Sequence, residues 1–333
     1  MSFESNDEVN VGSWLSRNNF HHSDFSDLPR LVREKEAQGV TISVGFPTYN
    51  EETTIGEEVS LIKSELMDRW PLVDEIAVID GGSCDRTVEE ARGAGAESYV
   101  ARDCLPHLAE LKGKGDNLWK SLFLLKGDII VWLDADIRNM HPKFVYGLVG
   151  PLLFYPEIQF VKAYYERPLH RPGEEDEFGG GRVTEILVRP LFSAFFPELA
   201  QLYQPCSGEC AGRRSLLESL PFAAGYGIET GMLIDIHSRR GQDVIAQVNL
   251  DKRVHRNQST TALGTMGFEI IHAFLSRLEA LDRAKFQRTL GSEYFKLTCS
   301  PSVYKLEDTP VQLNERPPML SIPEYRERRG LFP

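Results

Sequence analysis

Asp128-Ile129-Ile130-Val131-Trp132-Leu133 runs directly into Asp134-Ala135-Asp136. The apolar run has the length of a strand, and its unbroken hydrophobicity fits a strand covered on both faces. Continuing the period-two geometry places the side chains of Asp134 and Asp136 on the same side of the strand's end.

The pattern recurs upstream. Ile42-Ser43-Val44-Gly45-Phe46 is a β-rich run closed by Pro47, and Glu75-Ile76-Ala77-Val78-Ile79 is another, ended by Asp80-Gly81-Gly82-Ser83. Helical segments separate them. One starts near Thr53, with Glu57 and Glu58 on the face opposite Val59, Ile62 and Leu66; one is capped by Asp85-Arg86-Thr87 and runs through Ala94; one is opened by Gly113-Lys114-Gly115. The alternation predicts an α/β fold, a mostly parallel sheet with helices on both faces and its ligand site at the strands' C-terminal ends.

Beyond residue 150, Gln159 to Tyr165 reads as a strand, Arg171 to Gly181 as a long acidic, glycine-rich loop, and Val183 to Phe196 as a helix interrupted near Pro190. Phe268, Ile271, Phe274, Leu275, Leu278 and Leu281 fall at helical spacing, a stripe suited to core packing or to a dimer surface. The tail after Leu297, rich in proline and charge, reads as a loosely packed extension.

The 333 residues suffice for one large α/β domain with a C-terminal extension. A net charge of −12 argues against nucleic acid as a partner, because phosphate backbones are gripped by clustered Lys and Arg. The N-terminus has no basic segment leading into an apolar one, and the stretch Val145 to Tyr155 is too short, and broken by Pro151, to span a bilayer. No membrane span and a cytoplasmic location are expected. Five scattered cysteines fit a reducing compartment, and Cys206 with Cys210 lacks the second pair a zinc site needs.

Two carboxylates at a strand end make a hard-oxygen site for Mg²⁺, Mn²⁺ or another divalent cation whose remaining ligands are substrate phosphates. Alone, Asp134 and Asp136 read equally well as loop-capping aspartates. Their company changes the balance: Pro47-Thr48-Tyr49-Asn50-Glu51 closes the first strand, Asp80-Gly81-Gly82-Ser83 the second, and Gly113-Lys114-Gly115 supplies flexible backbone and a positive charge suited to a nucleotide.

The order Pro-x-x-Asn-Glu, Asp-Gly-x-Ser-x-Asp-x-Thr, Gly-Lys-Gly and Asp-Ala-Asp over residues 42–136 resembles the nucleotide-sugar-binding half of GT-A glycosyltransferases. Further on, Gly179-Gly180-Gly181-Arg182-Val183-Thr184-Glu185, Gln204-Pro205-Cys206-Ser207-Gly208-Glu209, Gly225-Tyr226-Gly227-Ile228-Glu229 and His255-Arg256-Asn257-Gln258 resemble the glucosyl-3-phosphoglycerate synthases and their mannosyl-transferring relatives. The resemblance implies a GT-A, Rossmann-like domain divided into an N-terminal helical arm (1–40), a nucleotide-sugar-binding half (41–150), an acceptor-binding half (151–262) and a C-terminal helical extension and tail (263–333).

It also implies an activity: retaining transfer of glucose or mannose, from UDP-glucose or GDP-mannose, to the 2-hydroxyl of 3-phosphoglycerate. The product would be a precursor of glucosylglycerate or mannosylglycerate compatible solutes or of methylglucose lipopolysaccharide. By the same resemblance Asp136, Asp134 and His255 form the metal site. Pro47, Tyr49, Asn50, Glu51, Ser83, Lys114, Asp134, Ala135, Tyr226, Glu229 and Arg256 hold the donor. Gly181, Arg182, Thr184 and Asn257 hold the acceptor, Glu229, Asp136 and Arg256 act in catalysis, and a homodimer is expected.

The residues themselves agree less sharply. Backbone amides, a guanidinium and a hydroxyl at Gly181-Arg182-Val183-Thr184 suit a phosphate or carboxylate, although a glycine run alone reads as a flexible surface loop. His255 and Glu229, taken singly, read as structural polar residues. The rival readings are a GT-A transferase with a lipid or polysaccharide acceptor, a nucleotidyltransferase, and a non-catalytic binding module.

Overall fold

The computed structural model of the chain describes residues 11–331, apart from 168, 172–173, 177–180, 255–259, 301–302 and 312. Eight strands form the central sheet: β1 (Asn19–His21), β2 (Ile42–Thr48), β3 (Glu75–Asp80), β4 (Glu97–Val100), β5 (Ile129–Trp132), β6 (Phe160–Glu166), β7 (Cys210–Arg213) and β8 (Ile245–Lys252). Their order is β1-β8-β6-β7-β5-β2-β3-β4, and every neighbouring pair is parallel except the two that β7 makes with β5 and β6. The expected α/β sheet is therefore present, with one reversed strand inserted at its centre.

Burial explains why the run at 129–133 is apolar without alternation. Ile130 and Trp132 pack into one hydrophobic cluster, and Ile129, Val131 and Leu133 into a second on the other face of the sheet. Both clusters are capped by helices, so neither face of β5 meets water. The helices Ile55–Lys63 and Lys143–Phe154 cover one side, while Lys114–Leu124 and Ile228–Arg240 cover the other.

Four features depart from the sequence reading. The N-terminal arm is not purely helical, since after the helix Val11–Asn18 it supplies edge strand β1, registered with Asn19 opposite Gln247 of β8. The acidic segment expected as a loop from Arg171 begins in regular structure, since Leu169–Arg171 pairs antiparallel with Glu174–Asp176 as a short hairpin. Residues beyond Leu297 take regular structure: Val303–Pro310 pairs with Glu293–Ser300 as an exposed hairpin, Glu315–Arg316 pairs with Phe222–Ala223, and Met319 and Tyr325 are buried. Glu58, expected on a polar helix face, is 1% exposed beside Ile55, Val59 and Ile62.

Of the apolar stripe, Phe274 and Leu278 on the helix Thr260–Ala280 are buried and Phe268, Ile271 and Leu275 half-buried, whereas Leu281 lies past the helix end and is exposed. No helix among the described residues is long and apolar enough to cross a membrane.

Candidate active site

A cavity of about 780 Å³ opens at the C-terminal ends of β2, β3 and β5. It is lined by Asp134-Ala135-Asp136, by Pro47, Thr48, Tyr49 and Glu51 with Gly81 and Gly82, and by Gly181, Arg182, Val183 and Thr184. Lys114, Tyr226 and Glu229 line it as well. The strand ends converge there because strands in parallel register end their turns on one edge of the sheet.

Lys114 opens the helix Lys114–Leu124, whose first turn sits against the backbone of Ala223 and Ala224, with the Asp116 N–H donating to Ala224 O at 3.0 Å. A Cβ on Gly115 would overlap Ala223 O, so glycine is the residue that permits this approach. The helix is locked from behind by Arg316, whose Nε donates to Asp116 Oδ1 at 2.7 Å and whose guanidinium lies over Trp119. Lys114 Nζ is thereby held 2.6 Å from Asp134 Oδ1 and 2.9 Å from Glu229 Oε1.

Arg253, just past β8 and 2% exposed, approaches from the opposite side. Its Nη2 donates to Asp136 Oδ1 at 2.6 Å and to Asp134 Oδ2 at 3.1 Å, and its Nε faces Glu209 Oε1 at 3.1 Å. The guanidinium also stands over the Tyr165 ring, whose hydroxyl donates to Glu209. The turn after Asp136 reinforces this arrangement, since Arg138 N donates to Val254 O and Asn139 brackets the chain at Lys252 and Val254.

The two aspartates are consequently unlike. Burial would raise the pKa of Asp134, but Lys114 and Arg253 outweigh it and hold that carboxyl well below the usual range. Burial dominates at Asp136, and with the Asp134 charge beside it the pKa rises despite Arg253. Burial opposes the charge on Lys114, yet Asp134 and Glu229 keep the ammonium protonated well above its ordinary range. Both Asp134 oxygens are engaged, whereas Asp136 Oδ2 accepts no hydrogen bond among the described residues. Hard carboxylate donors of which one keeps an open oxygen, among four carboxylates with two cations at ion-pair distance, fit a divalent cation.

Most of the expected site residues meet here. Pro47, Tyr49, Glu51, Lys114, Asp134, Ala135, Asp136, Gly181, Arg182, Thr184, Tyr226 and Glu229 all line the cavity. Asn50 and Ser83 brace the loops instead: Asn50 N donates to Ser83 Oγ at 2.8 Å and Cys84 N to Asn50 Oδ1 at 2.9 Å. Asn50 takes a left-handed φ of 58° at that turn. His255, Arg256 and Asn257 lie outside the described residues.

Sequence reasoning missed Arg253 and Glu209, the buried pair beneath the aspartates, and Arg167, which also lines the cavity. A single arginine or glutamate near a strand end carries no signal of its own, so nothing local could have found them. Cys206 lines the same cavity near Thr184, where burial pushes its thiol up to about 11 and keeps it protonated.

Comparison with known proteins follows the same lines. The profile of Glycosyl transferase family 2 matches residues 43–220. A glucosyl-3-phosphoglycerate synthase of Petrotoga mobilis is 51% identical over 94% of this chain and 97% of its own length. The crystal structure of mannosyl-3-phosphoglycerate synthase from Rubrobacter xylanophilus superposes with a TM-score of 0.86 at 35% identity, covering 93% of this chain and 99% of that one. A glucosyl-3-phosphoglycerate synthase from Mycobacterium tuberculosis in complex with Mn²⁺, UDP-glucose and phosphoglyceric acid superposes with a TM-score of 0.78 at 42% identity, covering 91% and 98% of the two chains.

Proposed function

The chain belongs to glycosyl transferase family 2, among the glucosyl-3-phosphoglycerate synthases and their mannosyl relatives, and from that premise we propose that it transfers a hexose with retention from a nucleotide sugar to the 2-hydroxyl of 3-phosphoglycerate. UDP-glucose is the favoured donor, since the 51% relative is a glucosyl enzyme and the 42% structure holds UDP-glucose, with GDP-mannose as the alternative. The observation that carries this reading is one continuous cavity running from Asp134-Ala135-Asp136 to Gly181-Arg182-Val183-Thr184. A diphosphate end and a small-anion end then share one space, with Lys114 and Glu229 between them.

In this reading Asp136 holds the divalent cation with its open oxygen, Asp134 supports it, and His255 is a further ligand by resemblance. The bound cation offsets charge on the departing diphosphate. Pro47, Tyr49, Glu51 and the Gly81-Gly82 turn enclose the nucleoside. Lys114 exchanges a carboxylate partner for a donor phosphate, and Arg256 is assigned to the diphosphate by resemblance. Arg182 and Thr184, with the backbone at Gly181 and with Asn257, grip the carboxylate and phosphate of the acceptor.

Transfer proceeds on one face of the sugar. The C1–oxygen bond to the diphosphate breaks with its electron pair leaving on the phosphate, the acceptor 2-oxygen bonds to C1, and its proton passes to a phosphate oxygen. Glu229, in the rim beside Lys114, faces the positive charge that develops on the sugar.

Five cysteines with no disulfide among the described residues suit a cytoplasmic location. A homodimer is supported by the hairpin Glu293–Ser300/Val303–Pro310, where Leu297 pairs with Leu306 and Phe295 and Tyr304 are also exposed. The functional test is a donor panel: the purified chain with 3-phosphoglycerate and Mg²⁺ should release UDP from UDP-glucose far faster than GDP from GDP-mannose. Equal turnover without 3-phosphoglycerate would refute the acceptor.

A further inference from the structure

Two residues outside the cavity lining, Thr54 and Glu58, occupy successive turns at the start of the helix Ile55–Lys63 and reach the same strand end. Spaced four apart, they lie on one helix face. Thr54 stands at the N-cap position, where a hydroxyl ordinarily accepts from the first turn of its own helix, yet no such bond is made. Its Oγ1 donates instead to Ala135 O at 2.6 Å, closer than its 3.4 Å approach to Glu51 O.

Glu58 sits among Ile55, Val59 and Ile62, where a leucine would fill the face without desolvating a carboxyl. Its Oε1 accepts from Ile137 N at 2.7 Å, and its Oε2 has no hydrogen-bond partner among the described residues. A buried acid with one oxygen unpaired is costly, and in this structure the bond to Ile137 N is what the side chain makes.

The two contacts bracket one residue. Ala135 C=O belongs to the peptide unit on the N-terminal side of Asp136, and Ile137 N–H to the unit on its C-terminal side. Because each peptide unit is planar, tying both to one rigid helix fixes the φ and ψ of Asp136 and so the direction of its side chain. Arg253 then sets the carboxylate from the opposite side through Oδ1.

We propose that Thr54 and Glu58 are positioning residues that hold the backbone of Asp136 in the conformation presenting its open carboxylate oxygen to the divalent cation. The inference rests on the reading of Asp136 as a metal ligand. Neither side chain touches substrate, and loss of either frees the turn rather than removing a ligand.

The test measures Mn²⁺ affinity of the full chain in the presence of UDP, by electron paramagnetic resonance of free Mn²⁺, alongside the kinetic constants. Thr54→Val and Glu58→Met, which keep size and remove the bonds, should weaken Mn²⁺ by ~10-fold or more, the scale of lost support behind a metal ligand. The KM for 3-phosphoglycerate should stay unchanged. Glu58→Gln keeps an oxygen for Ile137 N–H and should retain Mn²⁺ affinity within about twofold, well inside that loss.

Unchanged Mn²⁺ affinity in Thr54→Val and Glu58→Met would overturn the inference, as would a loss in Glu58→Gln equal to that in Glu58→Met. If Glu58→Met fails to fold, Thr54→Val and Glu58→Gln decide the matter alone. Asp136→Ala run in parallel separates the two readings. Mn²⁺ binding lost there but intact in the other variants overturns only the positioning role, whereas binding intact in Asp136→Ala overturns the metal assignment and this inference with it.

Discussion

Arg253 Nη2 lies 2.6 Å from Asp136 Oδ1 and 3.1 Å from Asp134 Oδ2, so one buried guanidinium sets the spacing of the two carboxylates. The same side chain faces Glu209, which is fully buried. Replacing it by methionine keeps volume but leaves three carboxylates without their shared cation. Removal of one partner from a buried ion cluster costs about 3–5 kcal/mol, which at this chain length lowers Tm by roughly 4–7 °C. Calorimetry on Arg253→Met checks this, and an unchanged Tm would contradict the role given to Arg253.

Asp136 is different in kind, because its side chain is 30% exposed and offers a second oxygen besides the one paired with Arg253. Asp136→Ala should keep the fold, seen as an unaltered far-ultraviolet circular dichroism spectrum. Its kcat should fall by ~10²-fold or more, given that a bound cation supplies several kcal/mol of charge stabilisation. Turnover near the parent rate would remove Asp136 from the metal site.

Gly208 packs flush against Asp134, and a Cβ there would overlap the carboxylate. Gly208→Ala should push Asp134 off Lys114 and Arg253, raising the KM for the nucleotide sugar by ~10-fold, the equivalent of about one charge-assisted hydrogen bond. Steady-state kinetics with the donor varied would show it, and an unaltered donor KM would mean the turn can absorb the methyl group.

Arg182 lines the same cavity as the aspartates. Arg182→Ala should raise the KM for 3-phosphoglycerate by ~10–100-fold, the loss of a hydrogen bond to a charged group, while donor binding stays as it was. A change confined to the donor would place the acceptor elsewhere.

Burial pushes the Glu58 carboxyl from an ordinary 4.5 up to about 9, against the single backbone hydrogen bond from Ile137. The folded protein therefore binds more protons than the unfolded chain between these two values, and stability falls as pH rises through that window. Below the unfolded value the protonated acid contributes no slope. Glu58→Gln removes the titration, so its Tm should fall less than that of the parent between neutral pH and about 9. Parallel melting curves across the window settle the point, and identical slopes would show that Glu58 is ionised in the fold.

Much of the sheet could be read in advance because a strand covered on both faces must be apolar throughout, as Ile129 to Leu133 is. The turn residues at Gly81, Gly82 and Gly113 then placed the ligand edge. Strand β7 escaped notice, since Cys210-Ala211-Gly212-Arg213 has neither alternation nor a continuous apolar run, and its place between β5 and β6 is decided by pairing alone. Edge strand β1 is only three residues long and half-buried. The ordering of the tail depends on Arg316 meeting Asp116 across 200 positions of sequence.

In the site, Lys114, Asp134 and Asp136 are legible through residue type and spacing, whereas Glu229 is legible only through the resemblance to the synthase family. Arg253 did not, because an arginine becomes interior only when distant carboxylates surround it. Glu58 departs from its pattern for the related reason that a charge in a helical pattern reads as solvent-facing until its partner, here a backbone N–H 79 positions away in sequence, is seen.

Proton magnetic resonance of the anomeric region tests the central claim most directly. The chain is incubated with UDP-α-glucose, 3-phosphoglycerate and Mg²⁺, and the sugar signals are followed over time. An α-anomeric signal of glucosyl-3-phosphoglycerate, growing with UDP release and abolished by a chelator, is the predicted result. UDP release without a new glycosidic signal, a β-anomer, or product formation that survives chelation would contradict it.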